Sequence, residues 1–98
     1  MIVDRNALRD LSVLISAART PREAQLLLED LFTPRERVFF SERWRLVQLL
    51  AAGMKQRDIK KTMNISISKI TRGSRMFKHG SGGFTLFLRR LKNLPRKR

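Results

Sequence analysis

Apolar residues recur along this chain three and four positions apart, and no stretch alternates as a half-buried strand does. The first periodic stretch comprises Ala7/Leu8, Leu11, Leu14/Ile15 and Ala18. This spacing is typical of one face of an amphipathic helix, here about four turns long. Because the later stretches follow the same period, the pattern predicts an all-α chain.

A repeated phrase marks two further helix starts. The residues Thr-Pro-Arg-Glu occur at 20–23 and again at 33–36. In each copy Thr can cap a helix, Pro suits the first helical position, and the following Glu completes a capping box. The helix that begins at the first copy is expected to bury Ala24, Leu27, Leu28 and Leu31.

After the second copy, the pattern predicts two helices in succession. The first is short and runs through Arg37 to Phe40. Ser41 can cap the next, from Glu42 to Ala52, which ends near Gly53. The side chains that this helix is expected to bury are Trp44, Val47 and Leu50/Ala51.

Residues 55–78 read as a helix, a tight turn and a second helix. The first helix, Lys55–Met63, turns Ile59 and Met63 inward. Asn64 tolerates the left-handed conformation of a tight turn, and Ser66 can cap the second helix. One face of that second helix carries Ile67, Ile70, Ser74 and Phe77; the opposite face carries Ser68, Thr71, Arg72 and Arg75, with Lys69 on the flank.

Beyond a glycine-rich break at 79–83, a last helix is predicted from Phe84 to Leu94. Its apolar stripe is Phe84, Phe87/Leu88, Leu91 and Leu94. Residues 95–98 form a basic tail. We therefore expect a single domain over residues 1–94, with the helix–turn–helix inside it.

Positive charge is concentrated in the second half of the chain. Residues 1–54 contain eight Arg against seven Asp/Glu, a formal net charge of +1. Residues 55–98 contain fourteen Lys/Arg against Asp58 alone, a formal net charge of +13. Ordinary protein surfaces mix positive and negative charges. A pair of helices with this excess of positive charge therefore indicates a polyanion partner, with duplex DNA the first candidate.

Composition narrows the function classes further. The chain has no Cys, so it has no disulfide framework or thiolate metal site, and the cytoplasm is the expected compartment. One His and no Tyr leave few groups for acid–base catalysis, so we expect no enzyme, no metal and no resident cofactor. No run approaches the roughly 20 apolar residues of a membrane span.

Three features also have alternative explanations. Gly73 within a helix indicates a close approach to the backbone, which a simple contact with a neighbouring helix would also explain. The last helix, with Arg89, Arg90 and Lys92 opposite its apolar stripe, could lie on an anionic membrane, although such a helix more often seals a core or an oligomer interface. The paired helices themselves could be a solvated hairpin in a bundle.

A series of motifs over residues 30–80 has a recognisable order. They are Thr33-Pro34-x-Glu36-Arg37, Arg43-x-Arg45, Leu49-Leu50, Met54-x-Gln56-Arg57, Ile67-x-x-Ile70-Thr71-Arg72-Gly73-Ser74 and Lys78. In sequence and spacing they resemble the tryptophan repressor family, most specifically in Ile-Thr-Arg-Gly-Ser on the recognition helix.

Two stretches also resemble the effector-independent DNA-binding modules of response regulators and sigma factors. These are Thr33–Arg37 and Leu49–Gly53. In those modules the two stretches lie closer together, whereas here residues 38–48 intervene. The insertion and Thr-Arg-Gly-Ser favour the tryptophan repressor family. A ribosomal or nucleoid protein and a cationic membrane-active peptide are the remaining competitors.

The resemblance implies a six-helix, intertwined homodimer whose DNA-binding heads reposition when L-tryptophan binds as corepressor. It places Arg43 and Arg72 on either side of the indole ring, which suits guanidinium stacking on aromatic faces. Arg72 is also expected to pair with the effector carboxylate. Thr33 and Gly73 are expected beside the same pocket.

The resemblance also bears on the effector's amino group. Met76 stands where the family usually has a Ser that can bond this group. Backbone carbonyls around Asp30–Phe32 could accept from it instead, and Asp30 could add charge. For double-stranded operator DNA, the resemblance points to Arg57, Lys60, Ser68, Lys69, Thr71 and Lys78.

Overall fold

The computed structural model describes residues 4–92, and over that range all regular structure is helical. The helices are α1 (Arg5–Ser16), α2 (Pro21–Leu31), α3 (Pro34–Ala51), α4 (Gln56–Met63), α5 (Ile67–His79) and α6 (Gly83–Lys92). The chain divides into two compact units, Met1–Phe39 and Phe40–Arg98, and α3 contributes residues to both. The all-α prediction is confirmed for the described residues.

Both repeated phrases start helices, as predicted. The Thr20 hydroxyl accepts a hydrogen bond from the Glu23 amide at 3.1 Å, while the Glu23 carboxylate accepts from the Arg19 amide at 2.9 Å. Thr33 and Glu36 bond reciprocally, at 3.2 and 2.9 Å. These bonds satisfy amide groups that a helix start would otherwise leave unpaired.

The prediction of two helices separated at Ser41 is wrong, because α3 runs without a break from Pro34 to Ala51. Residues 37–45 contain neither Gly nor Pro, so nothing interrupts the helical hydrogen bonds. A residue suited to capping starts a helix only where the preceding backbone leaves the helical conformation. Ser41 therefore lies in a helix interior.

The buried side of α3 also differs from the prediction. Its buried residues are Leu46, Val47 and Leu49, whereas Trp44 and Leu50 are half-buried and Ala51 is exposed. Trp44 stacks instead against Phe84 of α6, with ring centroids 6.2 Å apart. Because α3 is one continuous helix, the residues that it buries are those that face α4, α5 and α6.

The hydrophobic core lies in the second unit. It comprises Leu46, Leu49, Ile59, Ile65 and Ile70, with Leu50, Met54 and Met63 packed against it. These side chains come from α3, α4, α5 and the connections between them. The helix–turn–helix is therefore held on a core of its own unit.

The first unit has no comparable core. None of residues 4–39 is buried. Ala24 and Leu27 are half-buried, but Leu28 and Leu31, which were predicted to be buried, are exposed. The period of α2 matches the prediction, yet α1, α2 and the first turns of α3 are too few to enclose an apolar face.

α6 begins one residue before the predicted Phe84. Phe84 and Leu88 are half-buried, while Phe87 and Leu91 are exposed. The predicted helix end at Leu94 and the basic tail at 95–98 lie outside the described residues. No helix within 4–92 is both long and apolar enough to cross a membrane.

Candidate DNA and effector interface

α4, the turn and α5 form the helix–turn–helix that the sequence predicted. Asn64 ends α4 in the left-handed conformation, with φ 55° and ψ 50°. Ser66 caps α5, its hydroxyl accepting from the Lys69 amide at 3.2 Å. One buried isoleucine from each part of the motif anchors it to the core: Ile59, Ile65 and Ile70. The outer face of α5 is thereby held in a fixed orientation on its unit.

All the side chains predicted to bind DNA are exposed. They are Arg57 and Lys60 on α4, and Ser68, Lys69, Thr71 and Lys78 on α5. On α5, a stripe with helical spacing is formed by Ser68, Thr71, Arg75 and Lys78. Short hydroxyls and long cations therefore share one accessible face, as base and phosphate contacts require.

Lys69 differs from the other predicted phosphate ligands because it has an acidic partner. Its Nζ lies 3.1 Å from Oε1 of Glu42 on α3, and the two side chains are 50% and 30% exposed. Lys60 and Lys78 form no ion pair with any residue in 4–92. The composition of residues 55–98 had indicated that their positive charge is almost uncompensated. The Glu42 carboxylate, from the first half of the chain, compensates one of these charges.

Gly73 is explained by packing against α3. A Cβ placed on Gly73 would overlap Cδ2 of Leu46 and lie 3.2 Å from its Cγ. The missing side chain lets the α5 backbone approach α3 closely, which accounts for a residue that costs a helix roughly 1 kcal/mol relative to Ala. The helix–helix contact raised in the sequence analysis is thus present, and a role for Gly73 toward an effector stays a prediction.

The two arginines predicted to enclose an indole ring lie on these neighbouring helices. Arg43 on α3 is half-buried, and its guanidinium carbon lies 5.6 Å from the centroid of the Phe40 ring. Arg72 on α5 is exposed and makes no hydrogen bond or ion pair within residues 4–92. Arg43 thus already contacts an aromatic face, and Arg72 is accessible to an anion.

Three other predicted effector residues belong to the first unit. The Thr33 hydroxyl is engaged as the cap of α3, accepting from Glu36. The Phe32 carbonyl accepts from Nη1 of Arg37 at 2.9 Å. Asp30, near the end of α2, is exposed. The Phe32 carbonyl is therefore already a hydrogen-bond acceptor within the chain.

Met76 lines an apolar groove of about 410 Å³. The groove is formed with Phe77, Phe84, Phe87 and residues 80–83, and no charged residue lines it. It offers no cation to a carboxylate, and Met76 is the one predicted effector residue that it includes. Among the described residues, no group of His, Cys, Asp or Glu could hold a metal ion.

Residues 6–92 match the family model described as Trp repressor protein. The chain belongs to the Trp repressor family. The match extends from the first turn of α1 to the end of α6, well beyond the motifs at 30–80. Trp repressors are DNA-binding transcription regulators rather than enzymes. No solved structure matches the chain.

Sequence reasoning missed the partners of three site residues. These pairs are Lys69 with Glu42, Arg43 with Phe40, and Gly73 with Leu46. Phe40 could have been found from its position three residues before Arg43 on a helix. The other two pairs depend on how α3 packs against α5, for which a single sequence carries no local signal.

Proposed function

We propose that this Trp repressor is an L-tryptophan-dependent repressor of tryptophan-related genes, acting in the cytoplasm as an intertwined homodimer. The observation that carries the proposal is the core-anchored helix–turn–helix with its hydroxyl and lysine stripe, in a chain of this family. A helix of this kind enters the major groove, where its side chains reach base edges and phosphates.

The unburied apolar faces support the dimer. Leu8 and Ile15 on α1 and Phe87 and Leu91 on α6 are exposed in the single chain. Large exposed apolar patches mark contact sites, and each of these two helices has an apolar face to be covered. Helix–turn–helix dimers, of which Trp repressor is itself a standard example, bind half-sites about 34 Å apart. The operators are therefore palindromic.

Arg43 and Arg72 support the corepressor site. They lie on α3 and α5, which contact each other through Leu46 and Gly73. L-tryptophan lies between the two guanidinium groups and contacts the recognition helix beside Gly73 and Met76. Because the ligand binds one arrangement of the heads better than the other, it shifts the population toward the arrangement that fits DNA.

Calorimetric melts with single amino acids test this function. A ligand at 100 times its dissociation constant adds about 2.7 kcal/mol to the free energy of unfolding. We expect that shift with L-tryptophan and none with L-leucine at the same concentration. No shift with tryptophan would favour an effector-independent DNA-binding module.

A further inference from the structure

Among the cations expected to bind phosphate, Lys69 is already occupied by a carboxylate. Glu42 belongs to α3, 27 residues earlier in the chain. Its carboxylate oxygens, like those of a DNA phosphate, are negatively charged hydrogen-bond acceptors for the Lys69 ammonium group. The two acceptors therefore compete for one cation on the recognition helix.

The packing of α3 against α5 creates the pair. Glu42 precedes Leu46 by four residues, and Lys69 precedes Gly73 by four. Residues four apart share a helix face, so the ion pair lies one helical turn from the contact between Leu46 and Gly73. The close approach that Gly73 permits thus places the carboxylate beside the outer stripe of α5.

We propose that Glu42 is an internal counter-ion that competes with DNA phosphate for Lys69 and thereby lowers sequence-independent DNA affinity. The inference rests on the proposed DNA-binding function. Non-specific binding consists almost entirely of phosphate contacts, whereas operator binding adds base contacts. Loss of one phosphate contact therefore weakens non-specific binding by the larger fraction, and the operator preference rises.

The weakness of the pair suits this role. A half-exposed ion pair contributes little to stability, and it opens at little cost. On an operator, where the recognition helix is held in the groove, Lys69 can exchange the carboxylate for a phosphate. On other sequences no base contact supports that exchange, and the cation stays with Glu42.

The test compares two glutamates whose substitution changes the net charge equally. Glu42→Gln removes the competitor, while Glu29→Gln removes an exposed carboxylate of α2 that accepts from the Gln25 side-chain amide and forms no ion pair within residues 4–92. For a non-operator duplex, Glu42→Gln should raise affinity about two- to fivefold and steepen the dependence of log K on log salt by about 0.9. Glu29→Gln should change both quantities much less.

Two further variants substitute Lys69, the cation of the pair. In Glu42→Gln/Lys69→Gln the gain in affinity should disappear. Lys69→Gln alone should flatten the salt dependence less than Lys78→Gln, because Lys78 has no acidic partner within residues 4–92. Equal gains from the two glutamate variants, or a gain that persists without Lys69, would overturn the proposal.

Elution from immobilised heparin separates this inference from the proposed function. A wild-type chain that binds no duplex contradicts the function, yet heparin still reports whether Lys69 is available to a polyanion. Glu42→Gln should then elute at higher salt than Glu29→Gln, and elution at the same salt would refute the role of Glu42.

Discussion

The two units of this chain differ in both core and charge. Met1–Phe39 contains six Arg and six Asp/Glu, a formal net charge of zero, and none of its described residues is buried. Phe40–Arg98 contains sixteen Lys/Arg and two Asp/Glu, a net charge of +14, and holds the hydrophobic core. Both units expose apolar residues, but the first has no net charge and no buried residue, whereas the second has a core of its own and a strong positive charge.

The difference indicates a division of labour. A neutral unit with exposed apolar faces suits contact with protein, since charge repulsion does not oppose association there. A strongly basic unit would repel its own copy but attracts nucleic acid. Under the proposed function, the first unit and the apolar face of α6 supply the dimer interface, and the helix–turn–helix of the second unit supplies the DNA contacts. The following substitutions test that division.

The largest effect is expected from Ile15→Asp in the first unit. Ile15 lies on the apolar stripe of α1 and is 48% exposed in the single chain. If a partner covers it, each buried, unpaired carboxylate costs about 3–5 kcal/mol, and sedimentation should show loss of the dimer. Val13→Asp, off the stripe and 62% exposed, is the matched control and should leave the dimer intact. Equal effects of the two variants would contradict the assigned interface.

Arg72→Ala should abolish the tryptophan response while the dimer stays folded. Arg72 is exposed on α5, so its removal leaves no cavity, and its proposed partners are the ligand's carboxylate and ring. Arg75→Ala, three residues further along the same helix, is the control for lost charge and should keep the response. Arg43→Ala should weaken tryptophan binding less, because the carboxylate contact remains. An Arg72→Ala protein with unchanged half-saturation by tryptophan would refute the site.

Within the second unit, base and phosphate contacts should separate. Thr71→Ala should erode operator preference by about 0.5–1.5 kcal/mol, since its hydroxyl makes an ordinary hydrogen bond. Lys60→Ala and Lys78→Ala should instead weaken binding to all duplexes alike, each flattening the salt dependence by about 0.9. Fluorescence anisotropy on operator and non-operator duplexes at several salt concentrations measures both. A specificity ratio that survives Thr71→Ala would show that the recognition helix is wrongly placed.

The last substitution concerns Met76, and its effect appears only when two ligands are compared. A thioether is a weak acceptor for an ammonium group, so indole-3-propionate, which lacks the amino group, should lose less affinity in the wild type than in Met76→Ser. A hydrogen bond to a charged group contributes about 1.5–3 kcal/mol, so the variant should discriminate at least tenfold more strongly. Calorimetry with both ligands measures this. Equal discrimination would mean that Met76 does not face the amino group.

Local chemistry was read well from the sequence. The caps at Thr20, Thr33 and Ser66 and the left-handed Asn64 were all predicted, because each depends on residues within one turn of the chain. The failure at Ser41 has the same origin. A residue suited to capping allows a helix to start but does not require it, and the residues around Ser41 continue the helix.

Tertiary consequences were predicted less well. Leu28 was expected to be buried from periodicity, which identifies an apolar face but not what covers it. The pairing of Lys69 with Glu42 and the contact of Gly73 with Leu46 require the arrangement of α3 on α5. The family resemblance succeeded because its motifs combine local chemistry with order along the chain.

Binding of a selected duplex with and without L-tryptophan tests the central claim most directly. Duplexes selected from a random pool in the presence of L-tryptophan should yield a palindrome with half-sites about 34 Å apart. At fixed salt, L-tryptophan should tighten binding of this duplex by about 5–150-fold, the usual range of allosteric coupling, with two chains per duplex. The same affinity with and without L-tryptophan, or one chain per duplex, would contradict the account.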